Sequence, residues 1–199
     1  MASGIQTKIK NSYIILFLLY LAVGCVPKPT TTDFFGYKTD SLQAGDIILR
    51  KSYGMISEII VKQLNDSTNI SHCGIITTDS IGNFYVIDTS AKIVSNVDGM
   101  QICSLTHFMS DSRIETVKIF RFQLGDGKVI EQKAKYYLRK KIPFDLDFNM
   151  QDSTKFNCLE LPIHIIKTAY EVTISSSKKP NFKVFQNPKY FQEISFVKK

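Results

Sequence analysis

The sequence predicts one α+β domain. Short strand patterns come first along the domain and a helix-rich second half follows. The chain has 199 residues, and at about 150 residues per domain this length favours one domain over two. Hydrophobic residues make up 44% and charged residues 22% of the chain. This ordinary globular composition excludes collagen-like, elastic and mainly disordered proteins.

The first half of the domain is predicted to contain short strands and one helix. A buried strand is predicted over 44–51, and near-helical spacing of apolar residues predicts a helix over 54–65. Strands are predicted over 70–78 and 84–90, because the turn signal SIGN separates two apolar runs. The segment 92–97, KIVSNV, is interpreted as a further strand.

The second half is predicted to be mainly helical. A short helix is predicted over 101–110, and the alternating pattern over 115–123 predicts a strand. An amphipathic helix is predicted over 126–141, with an Asp at its start and basic residues at its end. A helix opening near Cys158 is predicted over 157–172, and the tail is expected to add a helical turn and a short strand.

The N-terminal segment has the pattern of a targeting signal. The run YIILFLLYLAVGC has about ten apolar residues, fewer than the roughly 20 that a membrane-spanning helix needs. It ends at Gly24-Cys25 and resembles a bacterial lipoprotein signal, although Ala22 stands where Leu is commonest. We therefore expect a signal peptide over 1–24, a lipidated Cys25 and a tether over 25–41. The alternatives are a short anchor or an ordinary signal in which the Cys occurs by chance.

Such a signal implies that the protein is exported and held in the bacterial cell envelope by acyl chains. The formal charge is +7, and loss of Lys8 and Lys10 with the signal leaves +5. A mild positive excess suits a protein near anionic lipid. The sequence shows no basic stripe interleaved with aromatics, no zinc-finger spacing and no RRM signature, so nucleic-acid binding is not predicted.

The number of cysteines indicates that at least one reactive or buried thiol is present. If Cys25 carries lipid, three cysteines remain, namely Cys73, Cys103 and Cys158. An odd number outside the cytoplasm leaves at least one thiol unpaired, and such a thiol is a liability unless it is buried or used. The sequence leaves open whether Cys73 and Cys103 form a disulfide or are two buried thiols.

Cys158 is the strongest candidate nucleophile. It lies at the expected N-terminus of a helix, where unpaired backbone N–H groups favour a thiolate and can hold an oxyanion. His164 lies about 240° around that helix and about 9 Å along it, so it cannot be the base. His72 lies on a predicted strand, facing away from Cys73, and Asp88 on the next strand is placed to orient it.

Residue types alone keep structural alternatives open for each member of this triad. His72 also fits a satisfied histidine of an apolar strand, Cys158 an inert buried thiol and Asp88 a turn former at a strand end. The sequence contains no cluster with metal-ligand spacing, so no cofactor and no metal are predicted.

Several ordered motifs resemble one known family. The motifs are GDIIL, SHCGII, a strand ending in an acid, and PFDLDFNMQDSTKFNCLELP. Together they resemble the permuted papain-like amidases of the YiiX/YebB-like group, in the NlpC-type superfamily, in which the histidine strand precedes the cysteine helix. The resemblance runs from about residue 42 to the C-terminus. The matching positions are Gly45, Asp46, Ser71, His72, Gly74, Phe144, Asp145, Cys158, Glu160 and Leu161.

The chain departs from the family pattern at three positions. Asp88 stands where Glu is usual, Pro162 where Val or a similar residue is usual, and Asn157 where Tyr is frequent. The resulting FNCLEL is also similar to the Asn-Cys-Glu motif of lecithin:retinol acyltransferase-like enzymes. These departures put the substrate class in doubt more than the nucleophile.

The resemblance implies a circularly permuted papain-like fold, in which a small antiparallel sheet or barrel packs against helices, and a cysteine hydrolase domain over 42–199. It implies Cys158 as nucleophile, His72 as base and Asp88 as the group that orients His72. The expected activity is hydrolysis of amide bonds in small peptides, for example cell-wall fragments, or of an acyl-amide substrate. The alternatives are a lipid acyltransferase or acyl hydrolase with an apolar pocket beside the nucleophile, and a catalytically silent envelope binding protein.

Three acidic residues lie close to the candidate nucleophile in the sequence. Glu160 is expected to bond the backbone at the helix start. Asp145 and Asp147 fit either a site for a substrate amine or a solvated acidic loop, and the loop is favoured.

Overall fold

A six-stranded antiparallel sheet forms the centre of the domain. The computed structural model describes residues 39–64, 67–147, 152–177 and 179–195. Neighbouring strands run in the order β4-β3-β2-β1-β5-β6, and every pair is antiparallel. The strands are β1 (Ile47–Arg50), β2 (His72–Thr78), β3 (Phe84–Ser90), β4 (Gly99–Ser104), β5 (Lys118–Phe122) and β6 (Phe191–Glu193).

Four helices accompany the sheet in the part of the chain that the structure describes. They are α1 (Met55–Leu64), α2 (Leu105–Ser110), α3 (Gly127–Lys140) and α4 (Glu160–Tyr170). Two 3-10 turns, Ile114–Thr116 and Phe182–Gln186, precede β5 and β6. The predicted α+β class with an antiparallel sheet packed against helices is therefore confirmed.

The two faces of the sheet pack against different helices. On β2, Cys73 and Ile75 belong to a core cluster that includes apolar residues of α3 and α4. The next residue, Ile76, belongs to a second cluster with Phe108 of α2. This alternation is that of a strand whose successive side chains point to opposite faces. It places His72 and Cys73 on opposite faces.

Two predicted elements are wrong. Residues 92–97 form turns, with the amides of Val94 and Ser95 donating to Ala91 O, and do not form a strand. The predicted helix 101–110 is a strand up to Ser104 and a helix only afterwards, because Ser104 Oγ caps that helix by accepting from the His107 amide. The other predicted strands and helices are present with small differences at their ends.

The predicted signal peptide 1–24, the lipidation site Cys25 and nearly all of the tether lie outside the described residues. Within the described ranges, no helix has the length and apolar character that crossing a bilayer requires.

The Gly-Asp motif joins the sheet to its neighbours at the start of β1. Gly45 has a φ of +92°, and a Cβ there would lie 2.1 Å from Gly127 O, so only glycine fits. The Asp46 carboxylate is 1% exposed and accepts two bonds of 2.8 Å from Arg121, on β5, and one of 2.9 Å from the Gln43 amide.

Asp46→Ala is expected to lower the free energy of unfolding by about 3 kcal/mol, because removing one partner of a buried ion pair leaves the other without its counter-charge. Urea unfolding followed by circular dichroism measures this. The exposed Asp98 provides the matched control, since Asp98→Ala is expected to change stability by less than about 0.5 kcal/mol. Equal effects of the two substitutions would contradict this role for Asp46.

Candidate active site

A histidine and a carboxylate meet on adjacent strands. His72 is the first residue of β2, and its Nε2 lies 2.6 Å from Asp88 Oδ2 on β3. The His72 side chain is 14% exposed and that of Asp88 is 2% exposed. The carboxylate is therefore enclosed, whereas the imidazole keeps one edge accessible. The structure brings together the two residues that the sequence proposed as base and orienting group.

Gly74 makes this contact geometrically feasible. It lies two residues after His72, on the same face of β2. A Cβ at this position would lie 2.3 Å from Val86 Cγ1 and 3.2 Å from the Cβ of Asp88. Any side chain here would therefore displace β3 or push the Asp88 carboxylate away from the imidazole. This explains the glycine of the SHCG motif.

The imidazole is further held by two residues that the sequence analysis did not identify. The ring of His72 stacks on Phe108 of α2, with centroids 5.7 Å apart and planes at 27°. The guanidinium of Arg50 lies 4.2 Å from the Phe108 ring centroid, bonds Phe108 O at 2.8 Å and pairs with Asp111 at 3.0 Å. Burial lowers the pKa of Arg50, while the charges of Asp111 and Asp88 oppose that shift. An arginine ending a strand carries no sequence signal for this role.

Ser71, the residue before the histidine, fixes the neighbouring turn. Its hydroxyl oxygen accepts from the Ser52 amide at 3.0 Å and from the Ser57 hydroxyl at 2.7 Å. These bonds tie the start of β2 to the segment that leads into α1.

Cys158 lies in a turn immediately before α4. Asn157 Oδ1 accepts from the amides of Leu159 and Glu160, both at 3.0 Å, and Glu160 Oε2 accepts from the Asn157 amide at 2.9 Å. This reciprocal pair is a capping box. The regular part of α4 begins at Glu160, three residues after the predicted start at 157, and Asn157 is the residue that caps it. Glu160 has the backbone-bonding role expected of it.

The capping arrangement leaves one amide at the helix start available. Asn157 satisfies the amides of Leu159 and Glu160, whereas the described residues place no acceptor on the Cys158 amide. A free N–H at the positive end of a helix suits an anionic oxygen.

Two side chains from β2 act on the sulfur of Cys158. The Cys73 thiol, which donates a 2.9 Å hydrogen bond to the Cys158 carbonyl oxygen, and the His72 imidazole both favour the thiolate form. The bond from Cys73 and the positive charge of His72 hold the pKa of Cys158 well below its usual value, although burial opposes them. Burial alone would lower the pKa of His72, but the charge of Cys158 and the bond to Asp88 raise it to about 9. The two groups therefore form a thiolate–imidazolium pair at neutral pH.

The site combines residues from the two sides of the sheet. Cys158 packs against the core cluster that contains Cys73, whereas His72 stacks on Phe108 from the opposite cluster. They meet because His72 is the first residue of its strand, so its side chain reaches the end of the sheet.

The prediction of a solvated acidic loop is wrong for one of its two residues. Asp145 is 0% exposed and accepts from the Asp147 amide at 2.9 Å. The Asp145 amide donates to Phe156 O at 3.1 Å, and the adjacent Phe144 forms a parallel bridge with Phe156. These backbone contacts hold Asp145 against the domain. Asp147 is exposed, and Lys155 lies 2.6 Å from its carboxylate and 3.6 Å from that of Asp145.

The pKa of Glu160 is unusually high for a carboxylate that caps a helix. Burial, the carboxylate of Asp145 and the thiolate of Cys158 raise its pKa to about 7, although the Asn157 amide opposes this. A raised pKa in the folded state means that this group stabilises the fold below its unfolded pKa of about 4.3 and loses that contribution as pH rises through about 7.

Glu160→Gln is therefore expected to gain stability relative to the wild type as pH rises, by about 1–2 kcal/mol between pH 5 and 8. Glutamine keeps an acceptor for the Asn157 amide and carries no charge near Asp145. Urea midpoints of both proteins at the two pH values measure this. A stability difference that is the same at both pH values would contradict the assignment.

The remaining histidines and cysteines lie away from the pair. His164 accepts or donates a 3.0 Å bond with the Tyr137 hydroxyl and packs on Phe156, so the prediction that it is not the base agrees with its position. His107 is in α2, where its amide bonds Ser104. Cys73 and Cys103 are both free thiols, on opposite faces of the sheet.

A cavity of 380 Å³ lies elsewhere in the domain. It is lined by residues such as Leu42, Thr78, Phe84 and Lys128. Thr78 and Phe84 mark the end of the sheet opposite His72, so this cavity is remote from Cys158. This cavity is therefore not part of the candidate active site.

The fold and site together define a class. A cysteine at the start of a helix, beside a histidine–carboxylate pair on an antiparallel sheet, is the arrangement of papain-like cysteine hydrolases; here the histidine strand comes first in the chain. A family model described as permuted papain-like amidase enzyme, YaeF/YiiX, C92 family, matches residues 41–198. The chain belongs to this family.

One solved structure shares the fold. The chain is similar to the crystal structure of the metalloprotein YiiX from Escherichia coli O157:H7, with a TM-score of 0.61 and 16% sequence identity over 79% of this chain and 98% of that chain. At this identity the likeness concerns the fold alone. No curated protein matches the chain. In the described ranges, no three His, Cys, Asp or Glu side chains are grouped so as to hold a metal ion.

Proposed function

We propose that the protein is a cysteine amidase or peptidase that hydrolyses amide bonds in small peptides, with cell-wall fragments as the first candidates. The observation that carries this proposal is the position of the His72 imidazole, which bonds the Asp88 carboxylate at 2.6 Å and whose positive charge favours the Cys158 thiolate. A nucleophile, its base and an orienting group in contact are the requirements of covalent acyl transfer.

The proposed reaction begins with attack of the Cys158 thiolate on the amide carbonyl carbon. The developing oxyanion would bind the Cys158 amide, which has no acceptor among the described residues. The His72 imidazolium then donates its proton to the leaving nitrogen, so that the C–N bond breaks and an acyl-enzyme thioester remains. Neutral His72 next takes a proton from water, which attacks the thioester and releases the acid. Asp88 holds the ring and stabilises its charged form.

The direct test incubates the purified chain with a panel of short peptides, including cell-wall fragments, and measures released amines. Cys158→Ser and wild type are compared, and a thioester on Cys158 is sought by mass spectrometry after acid quench. We expect amine release and a Cys158 adduct only in the wild type. A Cys158 of normal, slow thiol reactivity, without turnover of any amide or ester, would instead favour the silent binding protein.

A second candidate, hydrolysis or transfer of acyl groups on lipids, is favoured by exposed apolar side chains near the site. Tyr53, Met55 and Ile59 follow β1, and Ile93 and Val94 follow β3; all are more than half exposed. Arg50 at the end of β1 pairs with His72, and β3 ends two residues after Asp88. Both connections therefore leave the sheet at the end that holds the site.

One double variant distinguishes the two proposed activities. If the substrate carries an acyl chain, Met55→Ser combined with Ile59→Ser should raise KM for a long-chain acyl ester about 10-fold and leave cleavage of a short peptide unchanged. If the protein is an amidase of small peptides, long-chain esters should not be preferred substrates and the double variant should behave as the wild type.

We also propose that the protein is exported and lipid-anchored through Cys25, as the signal-like N-terminus suggests. Export in a bacterial host with labelled palmitate should then label the wild type and not Cys25→Ala. Cys103→Ala, which removes a different thiol, should be labelled as the wild type is. Label retained in Cys25→Ala would contradict the anchor.

A further inference from the structure

Cys158 has a second cysteine as its immediate neighbour. The Cys73 thiol donates a hydrogen bond of 2.9 Å to the carbonyl oxygen of Cys158. The Cys73 thiol and its backbone amide also favour the thiolate form of Cys158. Both cysteines are free thiols in this structure. Two reduced cysteines are thus held next to each other at the site.

The two thiols differ in access and in ionisation. Cys73 is 0% exposed, and burial raises its pKa well above the usual value. Cys158 is only half-buried and carries the thiolate. Because oxidants react with an accessible thiolate and not with a buried thiol, an oxidant entering the site reacts with Cys158 first and leaves Cys73 reduced beside it.

We propose that Cys73 and Cys158 form a site of reversible oxidative modification, in which a hydroperoxide oxidises Cys158 and Cys73 closes a disulfide with it. In the first step the Cys158 thiolate attacks the peroxide, the O–O bond breaks, one oxygen stays on sulfur as a sulfenic acid and the other, protonated by the His72 imidazolium, leaves as water or an alcohol. In the second step the Cys73 sulfur attacks the Cys158 sulfur. The S–S bond forms, the S–O bond breaks, and the hydroxide leaves as water with the Cys73 proton.

This disulfide would protect the site. A sulfenic acid with no neighbouring thiol is oxidised further to sulfinic and sulfonic acids, which are not reversed by thiols. A disulfide blocks the Cys158 sulfur but returns to two thiols when a dithiol reductant is added. A disulfide needs the two sulfurs about 2.05 Å apart. The turn that carries Cys158 therefore has to move toward β2 until the two sulfurs reach this distance.

The experiment treats the purified full-length chain with hydrogen peroxide, blocks remaining thiols with iodoacetamide and maps the peptides by mass spectrometry. We expect a peptide pair joined through Cys73 and Cys158, a loss of Cys158 alkylation of at least about 10-fold, and recovery with dithiothreitol. In Cys73→Ser the same treatment should give sulfinic and sulfonic Cys158 that dithiothreitol does not restore.

Cys103→Ser is the matched control, since it removes a half-buried thiol from the other face of the sheet and should behave as the wild type. Cys73→Ala serves as a second variant if Cys73→Ser does not fold, as judged by circular dichroism. The proposal is overturned if wild-type Cys158 is overoxidised as fast as in Cys73→Ser, or if the disulfide joins other cysteines. The readout is the state of the thiols, so it is independent of whether the protein hydrolyses any amide.

Discussion

His72→Ala is expected to slow alkylation of Cys158 by up to about 100-fold at pH 6. In the wild type, Cys73 and His72 hold the pKa of Cys158 well below its usual value, so a thiolate is expected at this pH. Without the imidazolium, the pKa of Cys158 rises toward its unperturbed value of about 8.5, at which about 0.3% would be thiolate at pH 6, and the bond from Cys73 limits that rise. The rate of iodoacetamide incorporation between pH 4 and 10 measures this.

The shape of the two profiles is as informative as the rates. Wild-type alkylation should be nearly constant from the low pKa of Cys158 to about pH 9, where His72 loses its proton. The His72→Ala profile should rise steadily and approach the wild type near pH 10. The control is His107→Ala, an exposed histidine on α2 that should leave the profile unchanged. A normal thiol profile in the wild type, insensitive to His72→Ala, would remove the basis for the amidase proposal.

Asp88→Asn is expected to lower kcat/KM by at least about 100-fold for whichever amide or ester the wild type hydrolyses. The substitution keeps the size of the side chain but removes the charge that lies 2.6 Å from His72 Nε2. Since the bond to Asp88 helps to raise the pKa of His72 to about 9, its loss should lower that pKa. The imidazolium that protonates the leaving group is then lost at a lower pH, and the alkaline limb of the rate profile moves down.

The pH profile separates this positioning role from a purely structural one. A variant that is merely destabilised would lose rate at all pH values without moving the alkaline limb. Asp98→Asn, at an exposed position of the loop after β3, is the matched control and should leave both the rate and the limb unchanged. An alkaline limb that stays near pH 9 in Asp88→Asn would show that Asp88 does not act on His72.

The sequence predicted the parts of the site that depend on local order. His72 and Asp88 lie on consecutive strands joined by a short turn, and the turn signal SIGN between two apolar runs predicts two such strands. The polar stretch before an apolar helix likewise predicts that Cys158 lies near a helix start. Residues that reach the site only through packing between distant parts of the chain cannot be recognised from a local sequence pattern. Arg50 and Phe108 support the imidazole from different elements, and neither has a spacing that sets it apart from core residues.

The errors have equally physical causes. The segment 92–97 contains β-branched residues, but its ends are tied into turns and it has no neighbouring strand, so propensity does not produce a strand. The sequence also treated Cys73 as a possible disulfide partner of Cys103. Strand periodicity places Cys73 on the face of β2 that carries α4, and only the packing of α4 on that face reveals that Cys158 is its neighbour.

The permuted order of the site has a consequence for biosynthesis. His72 and Asp88 are 16 positions apart and belong to one hairpin, whereas the contact of Cys73 with Cys158 spans 85 positions. A nascent chain that emerges N-terminus first presents the hairpin early and the nucleophile late. Until α4 docks on the sheet, the Cys158 thiol is expected to be slow to alkylate, because the Cys73 and His72 side chains that lower its pKa are not yet beside it. A brief pulse of alkylating reagent should therefore distinguish chains in which the site has assembled from chains in which it has not.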